Sequence, residues 1–152
     1  MELEDVFRAH QSSIYAYFLR MGGDAAEAEE LTQETFYRAC VSALRFRGES
    51  SVRTWLFEIA RRVFLERLRA RQRTHPVGDV PDAPTESHDP SDRIALERAF
   101  QALKHEDREV LMLVDVLGFE RAEAARTLHV APGTLRVRLH RARERMKEQL
   151  SP

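Results

Sequence analysis

A single cysteine, Cys40, in 152 residues leaves no partner for an internal disulfide and excludes a cysteine-rich metal site. It also fits a reducing compartment. Glycine is scarce, with six in the chain, and no β-branched alternation bounded by turns reads as a strand. No apolar run approaches the roughly 20 residues that a membrane-spanning helix needs, and no stretch has the layout of a signal peptide. The six histidines are scattered, without metal-ligand spacing. Paired carboxylates, a Ser/His/Asp set and a glycine-rich phosphate loop are missing too. These absences point away from an enzyme, a metal or cofactor protein and a membrane-inserted protein. A cytoplasmic, helical protein is the expectation.

What the chain does contain is segregated charge. A net charge of −1 conceals it. Residues 1–35 hold eight acids and two arginines, whereas 61–73, RRVFLERLRARQR, hold six arginines and one glutamate. Such a chain can meet nucleic acid at one place and a basic protein at another.

Helical periodicity organises the rest. Leu3, Val6, Phe7, His10, Ile14, Tyr17, Phe18 and Met21 trace one face of a first helix, which MGGD ends. Asp24, with Glu27 three residues on, reads as a capping-box-like start to a second helix reaching about Phe46. Its expected core side is Ala28, Leu31, Phe36, Ala39 and Ala43. Ser50 or Ser51 can cap a third helix, with Trp55, Leu56, Ile59, Ala60, Val63 and Leu68 as its core face. From Pro76 to Asp92 four prolines and five acids, with no lysine, arginine or aromatic, read as a flexible acidic tether. Helical patterning resumes at Arg93, and a further helix is expected over about Glu106 to Leu117, stopped by Gly118. FERAEAARTL, the turn HVAPG and a long basic helix then form a helix-turn-helix pattern. The fold class is all-α: two small helical domains, 1–73 and 93–152, joined by a flexible acidic linker, 74–92. Those nineteen linker residues span roughly 60 Å when fully extended.

The last helix carries the sharpest chemical signal. APGTLRVRLHRARERMK holds six basic residues and one acid, yet Leu135, Leu139, Ala142 and Met146 recur at core spacing. The opposite side is Gly133, Val137, His140, Arg141 and Glu144. One side can pack on a core while the other meets a nucleic-acid groove. A merely solvated basic face is the alternative.

Three co-linear motifs resemble a known family. GDAAEAEELTQETFYRA, SVRTWLFEIARR and REVLMLVDVLGFERAEAARTLHVAPGTLRVRLHRARERM are similar to segments of bacterial extracytoplasmic-function (ECF) sigma factors. The resemblance implies a promoter-specificity subunit that binds core RNA polymerase, at the β′ clamp helices and β flap, and directs −10 melting and transcription initiation at promoter DNA. It implies that 1–73 is sigma region 2 and 93–152 is sigma region 4. It also implies control by an anti-sigma factor.

Residue by residue, the segment matching ELTQETF makes Glu30, Gln33, Glu34 and Phe36 the expected polymerase contacts. The acids would meet basic side chains and Gln33 would fix register. A solvated acidic face is the plainer reading of the acids, and Phe36 can equally be core. Arg53, Arg61, Arg62, Arg67 and Arg69 are the expected −10 contacts, with FRGESSVR as the wall of a base pocket. Trp55 reads as core in preference to a stacking platform. Where related sigma factors often have Asn, this chain has Arg62, which can pair with guanine or hold phosphate. Thr134, Arg136, Val137, His140 and Arg141 are expected at the −35 major groove. Arg138 and Arg145 are expected on phosphates, which position without specifying. His129 stands where the family usually has Gly, at a turn that a left-handed His tolerates. A free-standing helix-turn-helix regulator with a helical sensing domain is the rival reading.

Overall fold

The computed structural model of the chain describes residues 2–22, 24–74 and 92–151. Nearly all of the expected linker lies outside the described residues. Seven α-helices account for the regular structure there, with two short non-α turns between them and no strand.

The first bundle is α1 (Leu3–Arg20), α2 (Ala25–Ser42) and α3 (Val52–Thr74). Ile14, Tyr17 and Phe18 of α1 are buried at helical spacing against Ala28, Leu31 and Ala39 of α2 and Leu56, Phe57 and Ile59 of α3. Asp24 caps α2 by accepting the Glu27 N–H at 2.8 Å. The Glu27 carboxylate turns instead to Arg71, so only half of a capping box forms. α2 ends at Ser42, where a 3₁₀ turn (Ala43–Arg45) replaces the last turn expected from the pattern. There the Ser42 hydroxyl bonds the Arg38 carbonyl, and the chain tightens rather than continuing. Ser51 caps α3 by accepting the Thr54 N–H at 3.1 Å.

The second bundle is α4 (Asp92–Gln101), α5 (His105–Leu111), α6 (Arg121–Leu128) and α7 (Pro132–Leu150). A π turn, Met112–Val116, continues α5, with the Leu117 N–H reaching back to the Met112 carbonyl at 2.8 Å. Gly118, at φ +73°, turns the chain out of it. His129, at φ +56°, is the left-handed cap of α6. The Val130 N–H then bonds the Ala125 carbonyl at 3.0 Å, closing that end. Pro132 opens α7 at its first turn, where a missing N–H costs nothing.

The sequence pattern separates two bundles but not their packing. They share one apolar core: the Phe57 ring of α3 meets Phe119 edge-on at 5.2 Å, and α3 lies along α6. Contacts between residues more than sixty positions apart leave no periodic trace, so only a tether was legible between the bundles.

Candidate nucleic-acid interface

α7 has two unlike sides. Leu135, Leu139 and Ala142 are at most 1% exposed and pin the helix to α5 and α6. Thr134, Arg136, Val137, Arg138, His140 and Arg141 are all exposed. Val137 is an apolar side chain left 45% exposed in the middle of this cationic surface. Arg136, Arg138 and Arg141 make no ion pair among the described residues. Two neighbours differ. Arg143 pairs with both oxygens of Asp115, at 2.7 and 3.1 Å, and this hydrogen bonding raises its pKa. Arg145 donates to both oxygens of the buried Asp107, at 2.9 and 3.0 Å. The sequence assigned Arg145 to phosphate; here it is a strut between α7 and α5. A carboxylate buried in α5 needs a cation, and Arg145 lies on the flank that can supply one.

The acidic face of α2 lies beside the basic face of α3, and the two partly neutralise each other. Glu30 accepts from Arg67 at 2.8 Å, and Glu34 accepts from Arg38 at 2.9 Å. Arg38 also bonds Glu66 at 2.6 Å, which raises the pKa of Arg38 and lowers that of Glu66. Arg67, read as a −10 cation, is thus held by Glu30, read as a polymerase contact. Gln33 is exposed. Phe36 is 8% exposed and sits edge-on to Phe7 at 4.9 Å, so of its two readings the structure takes core.

Arg62 and Arg69 point outward. Arg62 borders a cavity of about 640 Å³ whose wall includes Phe46, Arg47, Ser50, Trp55 and Glu58. The stretch FRGESSVR therefore does border a hollow large enough for a base. Trp55 is half-buried against Phe46, ring centroids 4.9 Å apart, so it supports the wall as well as lining it.

Arg53 and Arg61 face the other way, into the second bundle. Arg53 bonds Glu123 at 2.7 Å and lies 4.0 Å over the Phe119 ring. Arg61 Nε lies 3.1 Å from each oxygen of Glu109. Sequence reasoning placed both on an open cationic surface and missed Glu109, Glu123, Phe119 and Tyr17 as their surroundings. Glu109 closes the charged run HEDRE just before the apolar run VLMLV, so nothing local marks it out as the buried acid.

Residues 6–74 match the family model described as Sigma-70 region 2, and residues 93–146 match Sigma-70, region 4. The chain is 33% identical to the ECF RNA polymerase sigma factor EcfG of Rhodopseudomonas palustris, over 97% of its length and 84% of the relative's. It is also 33% identical to the ECF RNA polymerase sigma factor SigC of Mycobacterium tuberculosis, over 99% of the chain and 84% of the relative. Among solved structures, the sigma factor RpoE of Bartonella quintana, crystallised with the anti-sigma factor NepR, superposes with a TM-score of 0.80 at 27% identity. That match covers 97% of this chain and 95% of that one. With two sigma regions in order on one helical scaffold, the chain belongs to the ECF family of RNA polymerase sigma factors.

Proposed function

We propose that residues 1–73 hold core polymerase and the −10 element while 93–152 hold the −35 element, with 74–92 linking them. The observation that carries this reading is the outward side of α7. Three arginines without an ion pair among the described residues, and an exposed Val137, stand on a helix whose back is fully buried. Such a helix can enter a major groove without disturbing its core. Thr134, Arg136, Val137, His140 and Arg141 approach base edges, Val137 toward a thymine methyl. Arg138 neutralises phosphate.

On the first bundle, Glu30, Gln33 and Glu34 face the β′ clamp helices, and the second bundle takes the β flap. Exposed Arg62 and Arg69 hold the displaced strand. The cavity beside Arg62 receives an unstacked base, walled by Phe46 and Trp55. Arg53 and Arg61 join this surface once the second bundle has left them. The chain supplies recognition and strand capture, not chemistry of its own, and works in the cytoplasm with the polymerase. Among the described residues no helix is long and apolar enough to cross a membrane. Capture of the Bartonella relative with an anti-sigma factor supports the same kind of control here.

Run-off transcription with core polymerase over a promoter library tests the whole reading. Polymerase-dependent, sequence-selective initiation is expected. Selective duplex binding by the chain alone, with no initiation, would favour a free-standing regulator. Gln33→Ala with Glu34→Lys is expected to lose core binding in a pull-down while helicity stays intact; undiminished binding removes α2 from the polymerase contact.

A further inference from the structure

The cavity beside Arg62 holds one group that its surroundings leave unmatched. Glu58 lies on α3 one turn before Arg62, and both line the hollow together with Phe46 and Trp55. The Glu58 side chain is 21% exposed, whereas Glu49, the other acid of the wall, stands in solvent. Among the described residues no donor hydrogen-bonds the Glu58 carboxylate, and its one ion-pair contact is His129 Nε2 at 4.0 Å. Arg62, four residues on, lies within reach of it, as i and i+4 side chains do on one helix face. It turns elsewhere: Arg62 Nε approaches the Glu58 backbone carbonyl at 3.5 Å. A carboxylate largely withdrawn from water is stabilised only when donors reach it. The hollow, about 640 Å³, leaves room for those donors to arrive on a bound group. Its aromatic wall, with the Phe46 and Trp55 rings 4.9 Å apart, suits a flat one. Glu58 can only accept and Arg62 can only donate, so together they demand an edge that presents donors and acceptors side by side.

We propose that Glu58 and Arg62 make this cavity a guanine-selective site in −10 recognition. The proposal rests on the reading of the cavity as the seat of an unstacked base. Of the four bases, guanine alone offers two adjacent donors, N1–H and N2–H, which match the two oxygens of one carboxylate. Beside them O6 and N7 accept from a guanidinium, and Arg62 supplies it. Cytosine and adenine set a single amino group beside an unprotonated ring nitrogen, whose lone pair faces the second Glu58 oxygen. Thymine has one N–H between two carbonyls. Each of these three leaves an acceptor against a carboxylate, and such a mismatch is what separates one base from another. Arg62 alone does not choose so narrowly, since a guanidinium also settles on phosphate. Glu58 repels phosphate and so turns the pair toward a base.

The test uses holoenzyme assembled from core polymerase and the full chain. Its affinity is measured for single-stranded non-template −10 oligonucleotides carrying each base in turn at every position. One position is expected to favour guanine over the other bases by about tenfold or more. Glu58→Gln exchanges one acceptor oxygen for an amide donor at nearly the same shape. It is expected to reduce that preference to within about threefold while preferences at the other positions stay as they were. Inosine, which lacks the N2 amino group, is expected to bind the wild-type holoenzyme more weakly than guanine and to equal guanine with Glu58→Gln. An unchanged guanine preference in the folded variant overturns the proposal, as does a wild-type holoenzyme that shows no such preference. If the variant loses helicity, inosine against guanine on the wild-type chain decides, and equal affinity overturns the proposal. Abasic nucleotides at each position test the cavity reading separately. A position that needs a base but accepts any of the four upholds the cavity and overturns its selectivity for guanine. If no position needs a base, both fall.

Discussion

Two arginine-rich helices, α3 and α7, carry similar charge for opposite reasons. On α7 the back is core and the arginines at the centre of the front face make no ion pair among the described residues. On α3 most cations are already engaged: Arg53 and Arg61 with the second bundle, Arg67 and Arg71 with Glu30 and Glu27 of α2. A free guanidinium can exchange water and counterions for phosphate directly. An engaged one must first give up a carboxylate, so Arg53, Arg61, Arg67 and Arg71 would reach phosphate only with a rearrangement. Number of arginines therefore says little about readiness; what each arginine faces says more. Under the proposed assignment of α7 to the −35 element and α3 to the −10 element, the first surface stands ready while the second must exchange partners.

The comparison breaks most completely if the back of α7 fails. Leu139 is 1% exposed, and Leu139→Ala is expected to cost roughly 2–5 kcal/mol of stability, read from thermal or denaturant unfolding. A loss well below that range would mean the helix is less firmly seated than its burial requires. Next in size is the front. Arg141→Ala is expected to relax preference at one or two −35 positions by about 1–3 kcal/mol in a binding selection. Arg138→Ala is expected to weaken all sequences evenly and to flatten the salt dependence instead. Equal sequence profiles and equal salt slopes from the two variants would erase the division between reading and positioning.

Most of each bundle was legible in the sequence because burial there follows helical period. Leu135, Leu139 and Ala142 lie where the wheel puts them, and so do Ile14, Tyr17 and Phe18. Asp24, Ser51 and His129 were legible because caps and left-handed turns depend on neighbours a few residues away. Pairing across the fold was not. Nothing local distinguishes Arg61, which meets Glu109, from Arg62, which meets solvent, although the two adjoin in sequence. A helix turns by 100° per residue, and only the position of a second bundle decides which direction is inside. The end of α2 was missed for a related reason: the apolar pattern runs on to Ala43 and Phe46 although the chain has already tightened into a 3₁₀ turn.

Arg145 sharpens the contrast at smaller scale, since it lies on the ready helix but behaves like the arginines of α3. Its side chain is half exposed while that of Asp107 is 9% exposed. Arg145→Ala is expected to destabilise the fold by about 1 kcal/mol or less, once solvent screening is allowed for. It is expected to leave the salt slope of DNA binding near wild type. Arg138→Ala is expected to do the reverse. A reduced salt slope with unchanged melting for Arg145→Ala would return Arg145 to the phosphate contacts and remove it as a strut.

The smallest expected effect is on pH, and it belongs to the contact between the bundles. Burial pushes the Glu123 carboxyl up, but the hydrogen bonds and charge of Arg53, with Thr54 and Ser51, outweigh this and hold it below its ordinary value. If the second bundle swings away, Glu123 returns to the usual range of about 4.3. Closure therefore favours the ionised form: its stabilisation is complete above that range and is lost as pH falls through the depressed value. Tyr17 acts at the other end. Its burial, and then the charge and hydrogen bond of Glu109, raise its pKa well above the ordinary value, with Arg61 opposing. Closure thus favours neutral Tyr17, in full below about pH 10, and that contribution is lost as pH rises through the raised value. The separation of labels at exposed Cys40 and at Gln149→Cys, read by energy transfer, is expected to stay constant around neutrality and to lengthen toward either extreme. Tyr17→Phe is expected to abolish the alkaline limb and keep the acid one, and Glu123→Gln the reverse. Since Glu66 is also held low by Arg38 within the first bundle, helicity recorded at each pH separates opening from unfolding. An acid limb that survives Glu123→Gln unchanged would assign it to that intrabundle pair, leaving the two bundles held by Phe57, Phe119 and the buried Glu109 rather than by charge at the rim.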